Sequence, residues 1–138
     1  MGVADGQPVL GAEGLIGQVI SSGNRNSRVV LITDSAHALP VQVNRSGLRA
    51  IAEGSGSIDR LVIRHLPATT DIRVGDLLVT SGLGGRFPHG YPVARVTEVR
   101  VLEGDAFATV FAAPSSLLDR GRYVLVVMWG DLQREATP

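Results

Sequence analysis

The chain is 138 residues long, enough for one domain with a core of its own or for two very small units sharing one. Its thirteen acidic and thirteen basic residues balance, so no charge footprint points to nucleic acid or to an anionic membrane surface. Cysteine is absent, which removes thiolate catalysis, cysteine zinc sites and disulfides; every basic residue is arginine, which removes Schiff-base and P-loop lysine chemistry.

Taken in order, the sequence is a series of short β-type runs separated by turn formers. Gly6-Gln7-Pro8 is a turn signal ahead of Val9-Leu10. LIGQVIS (15–21), RVVLIT (28–33) and LPVQVN (39–44) follow, the last with Leu39, Val41 and Val43 on one face. Runs 48–52, 61–66, 77–80, 93–102, 107–113 and 123–128 complete the set. In VARVTEVRVL (93–102), Arg95 and Thr97 interrupt the apolar face, which predicts a bulge or a strand leaving the core partway. Only 46–52 and 114–118 have room for a helical turn or two. Many short strands at this cadence predict an all-β barrel or sandwich. The expected core is Val19, Val29, Leu31, Val41, Val43, Val62, Val79, Val96, Val99, Val110, Leu125 and Val127. The apolar run 123–129 is far too short to span a bilayer as a helix.

A faint internal echo links the start to the second half: a glycine turn, a short strand, a glycine-rich connection and a longer strand occur in 6–19 and again in 75–96. It predicts that the beginning of the chain pairs with the second half. Over 6–130 this gives two lobes, 6–22 plus 67–130 and an inserted 23–66, with tails at 1–5 and 131–138.

The stretch 80–92, TSGLGGRFPHGYP, carries four glycines and two prolines, and no regular element survives that composition. Phe87 and Tyr91 are two of the chain's six aromatics. Long shaped loops either serve function or brace two units. Leu83, Arg86, Phe87, His89 and Tyr91 are therefore candidates for a partner interface or for a brace. In one reading the two aromatics fold back to plug a barrel end; in the other they face a partner.

The search for catalysis comes back empty. His37, Asp59 or Asp71, and Ser81 stand in an order that a hydrolase triad could use, but the glycine-aspartate pair expected before the serine is missing. Ser81 reads instead as a backbone hydrogen-bond partner for the loop. No two histidines have ligand spacing, no two acids are placed for glycoside chemistry, and 82–85 lacks the lysine of a phosphate loop. No catalytic, metal or cofactor residue is assigned. A trypsin-like hydrolase using His37 and Ser81, or a small-ligand-binding barrel, are the alternatives to a binding role.

At 73–93, RVGDLLVTSGLGGRFPHGYPV, the sequence resembles the rod-shape-determining MreC family. GLIGQV (14–19), SRVVLITD (27–34), ALPVQV (38–43), SGLRAIA (46–52) and the closing 118–129 are similar to it as well. The resemblance covers about 5–130 and implies the family's extracytoplasmic β domain: two small β-barrels packed together, similar to trypsin-type barrels without a triad. A coiled coil and a transmembrane helix lie upstream in the family's pattern. The implied role is a non-enzymatic, cofactor-free scaffold of the cell-elongation complex, the periplasmic domain of a single-pass inner-membrane protein. Implied partners are the elongation class B penicillin-binding protein, MreB, MreD, RodZ, the RodA glycosyltransferase and further copies of itself. Nucleic acid is not among them, and the membrane is reached only through the upstream helix.

Overall fold

Among the residues that this computed structural model describes (6–22, 27–83, 87–101, 104, 106–116 and 125–126), ten strands follow the aliphatic and β-branched runs. They are β1 (Pro8–Leu10), β2 (Leu15–Ser22), β3 (Ser27–Leu31), β4 (Ala38–Val43), β5 (Arg49–Gly54), β6 (Leu61–Pro67), β7 (Leu77–Thr80), β8 (Pro92–Val101), β9 (Phe107–Pro114) and β10 (Leu125–Val126). Six of them close into a barrel in the order β4-β5-β6-β9-β8-β7, and the other four form a sheet in the order β10-β1-β2-β3.

Period-two alternation sorts the barrel's side chains. Leu39, Val41 and Val43 of β4, Leu61 and Ile63 of β6, Leu78 of β7, Val96 of β8 and Val110 of β9 are buried. Several cross-strand partners on the same face are small: Leu39 faces Ala52, Val41 faces Ala50, Leu61 faces Gly54 and Ala112, and Leu78 faces Ala94. Alternating large and small residues fill a narrow barrel without voids. Val9, Leu10, Leu15, Ile16 and Val19 of the sheet join the same cluster, so one core runs through both parts.

The bulge expected near Arg95 and Thr97 is present: the β8–β9 register shifts between Val96 and Glu98. One extra residue lets Val96 face Ala112 and Val99 face Val110, both toward the core, with Arg95 and Thr97 exposed. The expected pairing of the start with the second half also appears, with Val9 opposite Val126 and Leu10 opposite Leu125.

Among the described residues the second unit is a four-stranded sheet. Strand pairing crosses the sequence bounds 22/23 and 66/67: β3 pairs with β2, while β4 pairs with β7 and β6 with β9. The chain passes from sheet to barrel at 32–37, where Asp34 Oδ1 accepts the Ala36 N–H at 2.8 Å and makes a tight turn. Val29, expected in the core, is 40% exposed, because it lies on β3 at the sheet's edge. Val127 lies outside the described residues.

An ion-pair clasp closes the barrel end where β4 and β7 meet. Arg45 holds Asp76 through two hydrogen bonds, from Nε and from Nη2, both 2.9 Å, and holds Asp71 at 3.0 and 3.1 Å. Asp76 is 8% exposed and also accepts the Arg73 N–H at 2.9 Å. The Arg45 guanidinium is the largest influence lowering both carboxyl pKa values below the usual 3.8. Carboxyls with lowered native pKa values contribute stability above pH 3.8, and that stability is lost as pH falls through the lowered values. Arg45→Ala should therefore lower the melting temperature clearly at pH 7, and the gap to wild type should shrink below pH 3.8. A gap that is constant with pH would show that the charges of the clasp contribute nothing.

Candidate functional site

Thr80, the last residue of β7, fixes the glycine- and proline-rich loop. Its N–H donates to the Tyr91 carbonyl and its carbonyl accepts the Gly90 N–H, both at 2.8 Å. Its hydroxyl accepts the Tyr91 N–H at 2.8 Å and donates to the Pro88 carbonyl. All three hydrogen-bonding groups of a fully buried residue thus serve the loop, through four hydrogen bonds. Thr80→Val keeps the shape and removes the hydroxyl, leaving a buried N–H and a carbonyl short of a partner. Chemical denaturation should show a loss of about 1–3 kcal/mol, and no loss would mean that water replaces the hydroxyl.

The loop's aromatics are turned inward. Phe87 is 4% exposed and belongs to the core cluster. Tyr91 packs against that cluster, and its hydroxyl donates to the Gly11 carbonyl at 2.6 Å, in the turn between β1 and β2. Ser116 Oγ donates to the Gly14 carbonyl of the same turn at 2.9 Å. Through Tyr91 the loop reaches from the barrel to the β1–β2 turn of the sheet. Of the other candidates, Leu83 (57% exposed) and His89 face outward, and Arg86 lies outside the described residues.

The hydrolase candidates are not assembled. His37 Nε2 meets Gln18 Oε1 at 3.2 Å, whereas Ser81 Oγ accepts the Leu83 N–H at 3.2 Å, the backbone role expected of it. Asp59 accepts the Ser57 hydroxyl, and Asp71 is held by Arg45. Among the described residues no group of three or more histidine, aspartate and glutamate side chains could hold a metal ion. An open groove of about 580 Å³ lies where sheet and barrel meet, lined by Glu13, Leu77, Pro92, Arg95 and Pro114.

A second surface, not singled out by the sequence reading, lies on the outside of β6, β9 and β8. Register places Phe107 opposite Pro67, and Phe111 opposite Val62 and Glu98. Phe107 is 54% exposed, and the His65 ring meets its edge at a centroid distance of 6.3 Å. The guanidinium carbons of Arg60 and Arg100 each stand 5.0 Å from the Phe111 centroid. His65 has φ of +61° in a bulge where β6 shifts register between Ile63 and Leu66. The bulge leaves two consecutive side chains, Arg64 and His65, exposed. Backbone strain of this kind gathers at functional sites. Phe107 opens β9 whereas Pro114, beside the end of the loop, closes it, so this surface and Leu83 lie toward opposite ends of that strand.

The sequence profile of the family described as "Rod shape-determining protein MreC, barrel core" matches residues 1–128. The chain is 52% identical over 137 residues to the cell shape-determining protein MreC of Escherichia coli strain K12, covering 99% of this chain and 37% of that protein. It is 53% identical over 122 residues to the protein of that name from Haemophilus influenzae, covering 88% of this chain and 35% of that protein. The chain thus spans little more than a third of these relatives' length. The crystal structure of MreC from Pseudomonas aeruginosa superposes with a TM-score of 0.87 at 56% identity, over 91% of this chain and 81% of that one. MreC of Helicobacter pylori, in a complex with the penicillin-binding protein PBP2, shares the fold at a TM-score of 0.70 and 18% identity, over 87% of this chain and 75% of that one. Profile match, sequence identity and barrel agree: the chain belongs to the MreC family of cell shape-determining proteins and carries its barrel core.

Proposed function

We propose that the chain is a non-enzymatic docking domain of the cell-elongation machinery, which binds an elongation-type class B penicillin-binding protein through the outer barrel face around Phe107. The observation that carries this reading is the exposed pairing of Phe107 with His65 beside a phenylalanine flanked by two arginines. Aromatic and arginine side chains are the usual energetic anchors of protein interfaces. The choice of partner is supported by the family relative of the same fold that forms a complex with PBP2. On this reading the domain is periplasmic, belongs to a single-pass inner-membrane protein, and works in one complex with MreB, MreD, RodZ and RodA, associating with further copies of itself.

The test is binding of the purified chain to the ectodomain of the cognate penicillin-binding protein. Phe107→Ala should weaken binding by tenfold or more, about 1.4 kcal/mol or greater, and leave the melting temperature close to wild type because the ring is exposed. Unchanged binding by Phe107→Ala together with loss by Leu83→Ala would move the interface to the loop. Absence of any binding by the wild-type chain would overturn the choice of partner.

A further inference from the structure

His37 is 7% exposed where the turn after β3 enters β4, and its ring reaches across to β2. Gln18 Nε2 donates to the Gly6 carbonyl at 2.9 Å, which turns the amide oxygen Oε1 toward the ring. An acceptor facing Nε2 requires Nε2 to carry the hydrogen, so Nδ1 is the bare nitrogen. That Nδ1 is buried and has no hydrogen-bond partner. The chain Gly6–Gln18–His37 is a polar tie between sheet and barrel; two others among the described residues, Tyr91 to Gly11 and Ser116 to Gly14, use hydroxyls.

We propose that His37 is an acid-released latch between the N-terminal sheet and the barrel. A proton from solvent adds to the lone pair of Nδ1 and creates a charged donor that faces no acceptor. The neutral ring fits the seam and the cation does not, so the charged ring leaves it, and Gln18 loses its partner. The β2–β3 corner then opens while the Gly11 and Gly14 ties hold the other end.

The groups around the ring agree with this. β2 offers the uncharged Gln18, and β5 reaches His37 through the Gly54 N–H, which donates to the His37 carbonyl at 2.9 Å. Glu53, next to Gly54, is held by Arg64 at 2.6 Å. The charged group acting on the ring is Asp34, exposed on the same turn, which favours the cation. Burial acts the other way and is the larger influence, holding His37 below the usual 6.5. A group whose native pKa is lowered in this sense leaves the closed form intact above pH 6.5 and weakens it as pH falls from there to the lowered value.

Hydrogen exchange of the 138-residue chain between pH 7 and pH 5, corrected for intrinsic rates, tests the latch. The opening equilibrium of β2 and β3 amides should rise toward a limit of about tenfold per pH unit below 6.5, while barrel amides such as Ile63 and Val110 stay protected. His37→Gln, which can still donate to Gln18 but cannot take a proton, should abolish the response; His65→Gln, on the barrel's outer face, should retain it. A wild-type corner with constant protection, or a response that survives in His37→Gln, overturns the proposal. If His37→Gln does not fold, nitrogen NMR of the wild-type imidazoles decides. Titration of the His37 ring with concerted shifts at the Gln18 and Gly6 amides upholds the latch, and titration without them sinks it.

Discussion

Phe87→Ala should cost the chain about 3–5 kcal/mol of stability. The ring is 4% exposed and sits in the cluster shared by sheet and barrel, so its removal leaves a cavity and not merely a lost contact. The cost of a cavity depends on whether its walls can collapse. Here the ring joins a cluster drawn mainly from strand side chains, and the loop that carries it is clipped to Thr80 through backbone and hydroxyl. Both restraints oppose collapse into the space left by the ring. The midpoint of chemical denaturation should fall with an unchanged slope, and Phe87→Leu should recover part of the loss. A Phe87→Ala protein with wild-type stability and impaired partner binding would instead make the ring an interface anchor, against its burial.

Much of the fold was legible because β-strands declare themselves locally. The runs at 39–44, 61–66, 77–80 and 93–102 each match a strand to within one or two residues, and the polar interruptions at Arg95 and Thr97 announced a real bulge. Strand partners are a different matter. Alternation shows that a strand has a buried face but not which strand lies beside it. The passage from sheet to barrel is marked only by a six-residue connection, 32–37, without glycine or proline, so nothing local shows that β3 pairs with β2. The outer patch was overlooked for a related reason. Period two puts Phe107, Thr109 and Phe111 on one face of β9 and Ala108, Val110 and Ala112 on the other. The aliphatic face is the buried one, so the phenylalanines had to face outward, although large aromatics are usually assigned to cores. The Arg45 clasp joins residues 26 and 31 positions apart, and the His37–Gln18 contact spans 19. Such pairs become neighbours only once the barrel has closed.

Gly54→Ala should be at least as damaging as Phe87→Ala, through crowding and not through a void. Gly54 ends β5 opposite Leu61, facing the turn that carries the chain from sheet to barrel. A Cβ at this position would lie 1.8 Å from the Asp34 carbonyl oxygen, 2.4 Å from its carbon and 2.5 Å from the Thr33 carbonyl carbon. All three are backbone atoms, so no side chain can swing aside. The turn cannot retreat cheaply either. The Asp34 carbonyl accepts the His37 N–H at 2.9 Å, the His37 carbonyl accepts the Gly54 N–H at 2.9 Å, and the Thr33 carbonyl accepts the Gly56 N–H at 2.9 Å. Moving the turn by the ångström or more that a methyl group needs would break several of these at once. The loss should exceed the ~1–3 kcal/mol typical of an overpacked core. Gly75→Ala provides the contrast: φ there is +94° and nothing lies within 4 Å of the added carbon, so its cost should stay near the roughly 1–2 kcal/mol of a left-handed backbone. Equal denaturation midpoints for the two variants, or a Gly54→Ala protein as stable as wild type, would show that the turn does not approach β5 as closely as this geometry requires.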